Sequence, residues 1–206
     1  MMTPSRKLVV AVAVFAQMFS YLLFSQAALA AVGDNPSGRN TTYMYLDNDL
    51  SQLKEQFNKD KGKTRVVAIL GPTCGGCLVG MRDVNNALLE KEKDNPDLVT
   101  YLVYVPTLGA TEKDIANTKG LITTNRAYEY WDETGETGKE FQSKLGLNDY
   151  IWDAWFAFDG DAQWDQTIPD DYYWMRRATR GTASDGAPLN GKVFADKVDE
   201  LLASKR

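Results

Sequence analysis

Residues 65–80 read RVVAILGPTCGGCLVG, and the parsing of this stretch decides the fold. Arg65–Leu70 is a short, β-branched apolar run closed by Gly71 and Pro72, the pattern of a strand buried on both faces. Cys74 and Cys77 follow, the only two cysteines among 206 residues, separated by Gly75 and Gly76. Leu78, Met81, Val84, Leu88 and Leu89 then mark one face of a helix extending to about Lys93. Asn95-Pro96-Asp97 breaks that helix, and residues 98–106 (LVTYLVYVP) make a second strand stopped by Pro106. A strand, a helix and a returning strand of this length form a βαβ unit, whose right-handed crossover implies parallel strands.

This parsing puts the thiols at the carboxyl edge of a sheet, where open α/β sheets place ligands and reactions. A thiol in the first helical turn faces unpaired backbone N–H groups and the positive end of the helix dipole. Both favour thiolate, so Cys74 is expected to ionise more readily than an ordinary cysteine. Cys77 is its neighbour one helical turn on and can attack a mixed disulfide held on Cys74. In this reading Cys74 is the exposed nucleophile and Cys77 the more buried resolving thiol. Pro72, Thr73, Gly75 and Gly76 line the site, the two glycines leaving backbone and thiol open to a partner. Two other uses stay open. Both thiolates could hold a soft metal such as Cu(I), with Met81 close in sequence; or the pair could be a structural disulfide in a non-catalytic interaction module.

The rest of the composition narrows the chemistry. The chain contains no histidine, which excludes Ser-His-Asp and Cys-His catalytic pairs, HExxH zinc sites and His-ligated copper. Two cysteines alone cannot complete a tetrahedral zinc site. At the N-terminus, Arg6 and Lys7 precede an apolar run, Leu8–Phe24, and Ala28 and Ala30 stand in an A-x-A arrangement. A basic stub, an apolar stretch and a small-residue exit are the pattern of a secretory signal peptide cleaved near Ala30. The alternative is a retained anchor, since seventeen residues is near the lower limit for spanning a bilayer. Export to a periplasmic or extracellular space permits a disulfide. Removing Arg6 and Lys7 from the 23 basic residues leaves 21 against 28 acidic ones, a net charge of −7, which does not suggest a nucleic-acid partner. The organisation expected is therefore a signal peptide over 1–30, a flexible lead-in over 31–45 and one domain over 46–206.

Within that domain, Leu50, Leu53 and Phe57 recur at helical spacing up to about Asp60. Beyond the second strand a polar helix is expected at Glu112–Lys119, then a short strand at Ala127–Trp131 and a helix at Glu136–Leu145. Residues 153–164 (DAWFAFDGDAQW) read as two strand-like runs about Asp159-Gly160-Asp161, a hairpin signal. An irregular aromatic stretch follows, in which Tyr172, Tyr173 and Trp174 with Arg176, Arg177 and Arg180 are either a docking surface or ordinary packing. The last element is a helix over 191–204.

The strand–GPTCGGC–helix unit resembles the active-site segment of the thioredoxin superfamily. The later order is similar to its exported bacterial branch, in which a strand ending near Tyr130-Trp131-Asp132 leads to a helix, an Asp-Gly hairpin and a C-terminal helix. Trp155 and Phe156, with IPDDYYWM at 168–175, also look like a little-characterised group of bacterial thioredoxin-like proteins. The resemblance covers residues 46–204 and implies a thioredoxin-like α/β fold: a central mixed sheet flanked by helices, an insertion after the second strand and an extended C-terminal segment. It implies a thiol–disulfide oxidoreductase acting on protein or small-molecule disulfides, with no prosthetic group and an electron donor or acceptor at the membrane. Three positions depart from the family pattern. The proline expected before the strand facing the thiols is absent from Ile151-Trp152-Asp153-Ala154, Ala68 stands where a buried carboxylate is usual, and Thr73 replaces a tryptophan. The second departure leaves the resolving thiol's proton to another acid, Asp153 for one, or to solvent. Trp152 and Asp153 themselves read two ways, as a wall and proton relay beside the thiols or as a core residue and a turn residue.

Overall fold

The computed structural model describes residues 42–177 and 187–204. Its strands are β1 (Met44–Tyr45), β2 (Thr64–Leu70), β3 (Leu98–Tyr104), β4 (Ala127–Trp131), β5 (Ala154–Phe158), β6 (Tyr172–Arg176) and β7 (Ala187–Pro188). The helices are α1 (Ser51–Lys59), α2 (Gly75–Val84), α3 (Glu136–Leu145) and α4 (Gly191–Ala203). All seven strands join one sheet in the order β1-β4-β3-β2-β5-β6-β7. β1, β4, β3 and β2 run parallel, while β5 is antiparallel to β2 and β6 antiparallel to β5. The β2-α2-β3 unit, the antiparallel β5–β6 pair beside it and the closing helix α4 make the fold thioredoxin-like, with residues 107–130 inserted after β3. No helix among the described residues is long and apolar enough to cross a membrane.

β2 shows why the sheet is central. Val66, Ala68 and Leu70 enter one core with Met81 and Val84 of α2 and Phe194 and Val198 of α4. Val67 and Ile69, pointing the other way, pack with Leu53 and Phe57 of α1 and Phe141 of α3. A strand covered on both faces reads as a continuous apolar run, and this one does. The exception is Arg65, fully buried, whose guanidinium lies 4.1 Å over the Phe57 ring. It donates to the carbonyls of Phe57 at 3.0 Å and Asp159 at 2.6 Å, tying the end of α1 to the turn after β5. The Tyr130-Trp131-Asp132 junction is equally specific. Buried Asp132 accepts from the backbone N–H groups of Gly135 at 2.8 Å, Glu136 at 3.1 Å and Thr137 at 2.7 Å, which satisfies the first turn of α3.

Four expectations need correction. The end of the 31–45 lead-in is not loose: Met44 and Tyr45 pair with Tyr130 and Trp131 at the sheet edge. The helix after the thiols is α-helical only to Val84, then widens into a π turn over Asn85–Leu89. The polar helix expected at 112–119 is a short 3-10 segment, Glu112–Thr118, opened by a reciprocal Thr111–Asp114 capping box. Residues 162–164 do not form the second arm of a hairpin. Trp164 turns inward, edge-on to Phe57 and Phe141, its backbone held by Asn58. The true partner of β5 is β6, so Tyr172 and Trp174 pack on Phe156 instead of forming a free aromatic face. The expected signal peptide, the lead-in up to residue 41 and Arg180 lie outside the described residues.

Candidate active site

β2 ends at Leu70 and the chain turns through Gly71-Pro72-Thr73, the Cys74 N–H returning to the Gly71 carbonyl at 2.9 Å. The turn is pressed from outside by the insertion. A Cβ on Gly71 would lie 2.3 Å from Thr107 Cγ2, and Asn117 donates to the Pro72 carbonyl at 3.3 Å. Thr73 is exposed and donates to the Thr107 carbonyl at 3.4 Å. Cys74 is the N-cap of α2 and, contrary to the expectation of an exposed nucleophile, is buried at 7% exposure; its sulfur accepts the Cys77 N–H at 3.2 Å. Cys77, one turn on, is fully buried and accepts the Gly71 N–H at 3.3 Å. Both thiols are free.

These surroundings split the pair. Hydrogen bonding from the Cys77 thiol, with the backbone N–H groups of Cys77 and Gly76 adding to it, lowers Cys74 from 9.0 to about 6 despite its burial. Burial, reinforced by Cys74 and Asp153, pushes the Cys77 thiol far above the ordinary range. The surroundings thus favour the thiolate on Cys74 and the thiol on Cys77.

Asp153 arrives from the loop before β5. The antiparallel register pairs Ala154 with Ile69, which sets Asp153 beside the end of β2 and the start of α2. Its carboxylate and the two sulfurs lie within 4.8 Å of one another. Burial first, and the Cys74 charge second, raise Asp153 from 3.8 to about 7, opposed by Arg177 and Arg176. A Cβ on Gly76 would stand 2.8 Å from Asp153 Oδ2, so the close approach depends on glycine at that position. Gly75, by contrast, is exposed with nothing within 4 Å of an added Cβ, and it alone fits the expectation of a glycine left open to a partner.

Trp152 is half-buried, its ring stacked on Tyr150 at 6.1 Å. Its indole faces the Cys74 sulfur and favours the thiolate, but the contact does not close to a hydrogen bond and Nε1 has no other partner. Tyr150 in turn fills the space above α3, where a Cβ on Gly138 would lie 2.3 Å from its ring. Of the residues singled out in the sequence, Pro72, Thr73, Gly75 and Gly76 form the thiol turn itself, and Trp152 and Asp153 come to it from the loop before β5. Arg177 was missing from that set. It reaches across Gly76, and its backbone N–H donates to the Asp153 carbonyl at 3.1 Å. The register pairing Ala154 with Arg176 is the signal that places it there, and that register needs the β5–β6 pairing. Met81 is wholly core. Among the described residues, the further donor within reach of both sulfurs is a hard carboxylate, which suits Cu(I) less than another soft ligand would. A cleft of about 940 Å³, bordered by Asp161, Asp171 and Lys197, lies at the far end of β5 and takes no part in this chemistry.

These features define a thioredoxin-like fold with a Cys-x-x-Cys pair at the head of the helix that follows its central strand. No family model and no curated protein matches the sequence. Among solved structures, it is similar to a secreted Mycobacterium tuberculosis disulfide oxidoreductase homologous to E. coli DsbE. That match has a TM-score of 0.43 at 11% identity over 69% of this chain and 84% of the other. It is also similar to a thioredoxin-family thiol:disulfide interchange protein of Chlorobium tepidum, with a TM-score of 0.45 at 16% identity over 70% and 83%. A third is BsSco, of the Sco family of cytochrome c oxidase assembly proteins, at 0.43 and 10% over 71% and 82%. These are likenesses of chain path between distant sequences.

Proposed function

We propose that this chain is an exported thiol–disulfide oxidoreductase that works through a mixed disulfide on Cys74. The observation that carries the reading is the asymmetry of the pair: Cys74 sits at the helix cap with its pKa lowered to about 6, and Cys77 is buried behind it as a thiol. The Cys74 thiolate attacks one sulfur of a substrate disulfide, forming a Cys74–substrate bond and expelling the other half as a thiolate. Cys77 then loses its proton and attacks the Cys74 sulfur. The internal disulfide forms, the mixed bond breaks and the second substrate half leaves. The substrate gains two electrons and the protein dithiol loses them, with no prosthetic group involved.

Substrates are protein or small-molecule disulfides, or dithiols when the cycle runs in reverse, and a donor or acceptor at the membrane restores the pair. Residues 1–30 carry the export signal, cleaved near Ala30, and the domain takes in the end of the lead-in from β1 onward.

Trapping tests the mechanism. A Cys77→Ser chain can attack but cannot resolve, so Cys74-linked adducts should accumulate with disulfide-containing proteins and be released by dithiothreitol. If none forms while the variant remains folded and Cys74 titrates as an ordinary thiol, the reading fails.

A further inference from the structure

We propose that Asp153 takes the proton of Cys77 at the resolving step, supplying from the β5 side the base that Ala68 cannot supply from β2. The inference rests on the oxidoreductase reading and assigns one further residue of its chemistry.

Three features of the structure converge on it. The first is reach, since carboxylate and sulfurs lie within 4.8 Å of one another. The second is an open valence. Asp153 is 2% exposed, yet its Oδ1 has no hydrogen-bond partner, although buried carboxylates normally saturate their oxygens. An unused acceptor beside a buried thiol is what a proton transfer needs. The third is backbone. Asp153 holds φ +55°, a left-handed conformation, and the Arg177 N–H donates to its carbonyl at 3.1 Å. Gly76 clears the way on α2, since an added Cβ there would come within 2.8 Å of Oδ2.

The charges around Asp153 time the transfer. Cys74 and Cys77 face it from the cap and first turn of α2, and Arg176 and Arg177 from the end of β6 and the residue after it, with Asp83 of α2 3.9 Å from Arg177. While Cys74 is a thiolate, its charge adds to burial in keeping a proton on Asp153. Formation of the mixed disulfide cancels that charge and leaves the arginines, so Asp153 gives its first proton to the thiolate expelled in that step or to water, and stands as a carboxylate when Cys77 must ionise. Cys77–SH then gives its proton to Asp153, and the freed electron pair makes the bond to Cys74. The Cys74–substrate bond breaks, and the departing thiolate takes a proton from Asp153 or from water.

The experiment is a two-phase stopped-flow reaction of the reduced full chain with bis(thionitrobenzoate) disulfide across pH 5 to 9. The first thionitrobenzoate reports attack by Cys74 and the second reports resolution by Cys77. Asp153→Asn removes the base and tolerates the left-handed backbone; Asp153→Gly does the same with no side chain, should the amide disturb the loop. In both variants the second release is expected to slow about a hundredfold at pH 7 and to rise steadily with hydroxide, where the wild-type rate levels off. The first release should persist with its midpoint near the wild-type value, because Asp153 already carries a proton while Cys74 ionises. Second-release rates within about twofold of wild type, with the same pH profile, would overturn the role of Asp153. No first release from the wild-type chain would instead remove the oxidoreductase reading, and this inference with it.

Discussion

A Cys74→Ser chain should lose disulfide exchange entirely, because Cys77 cannot take over. Cys77 is fully buried beneath the turn, and burial holds it as a thiol. At pH 7 the Cys74 site is mostly thiolate, with its pKa near 6. An ordinary thiol near 9 would be about 1% ionised there, and Cys77 less, so ionisation alone separates the two by roughly a hundredfold or more. Burial widens the gap, since a thiol that no substrate disulfide touches does not react. The measurement is reduction of an aromatic disulfide at pH 7 by each single variant. Cys74→Ser should match the protein-free background, while Cys77→Ser should react once and stop. Comparable single turnovers from both variants would mean that the thiols are equivalent.

The second large effect is on stability. Arg65→Ala should destabilise the fold by about 3–5 kcal/mol, read from urea unfolding. The substitution leaves the Phe57 and Asp159 carbonyls without their guanidinium donors and opens a cavity under the Phe57 ring. Arg65→Met separates the two causes. It refills most of the volume but restores neither hydrogen bond, so it should recover roughly half of the loss. If the two variants are equally unstable, the hydrogen bonds dominate; if Met restores wild-type stability, Arg65 is only filling space.

Much of this architecture is legible in the sequence because it is encoded locally. The apolar run ending β2, the helical spacing after the thiols and the Val- and Tyr-rich β3 give the βαβ unit without any long-range information. The β5–β6 pairing was not legible in the same way. Ala162, Gln163 and Trp164 follow an Asp-Gly turn and look like a returning strand. Their fate is decided by Asn58, which is 106 residues from Trp164 in sequence and clamps its backbone at both N and O. The real partner, YYWMR, reads as irregular because both its faces carry large side chains: Tyr172 and Trp174 meet Phe156, while Tyr173 reaches Phe194.

The site follows the same division. Cys74 and Cys77 declare themselves by spacing and by the strand before them. Asp153 had two readings in the sequence, because its neighbourhood depends on the antiparallel register of β5 against β2. Once Ala154 pairs with Ile69, the carboxylate falls beside the thiols and Arg177 falls beside the carboxylate. The glycine at position 76 changes meaning as a result, from an open surface to the clearance that lets a carboxylate approach.

The asymmetric redox couple is tested most directly by counting thiolates. Reduced full chain is mixed with excess aromatic disulfide, and the released thiolate is measured against protein concentration as pH is varied. The expected result is two equivalents per chain, the first in a phase with its midpoint near pH 6, ending in a Cys74–Cys77 disulfide. One equivalent with a persistent adduct, or no release above background, would contradict it.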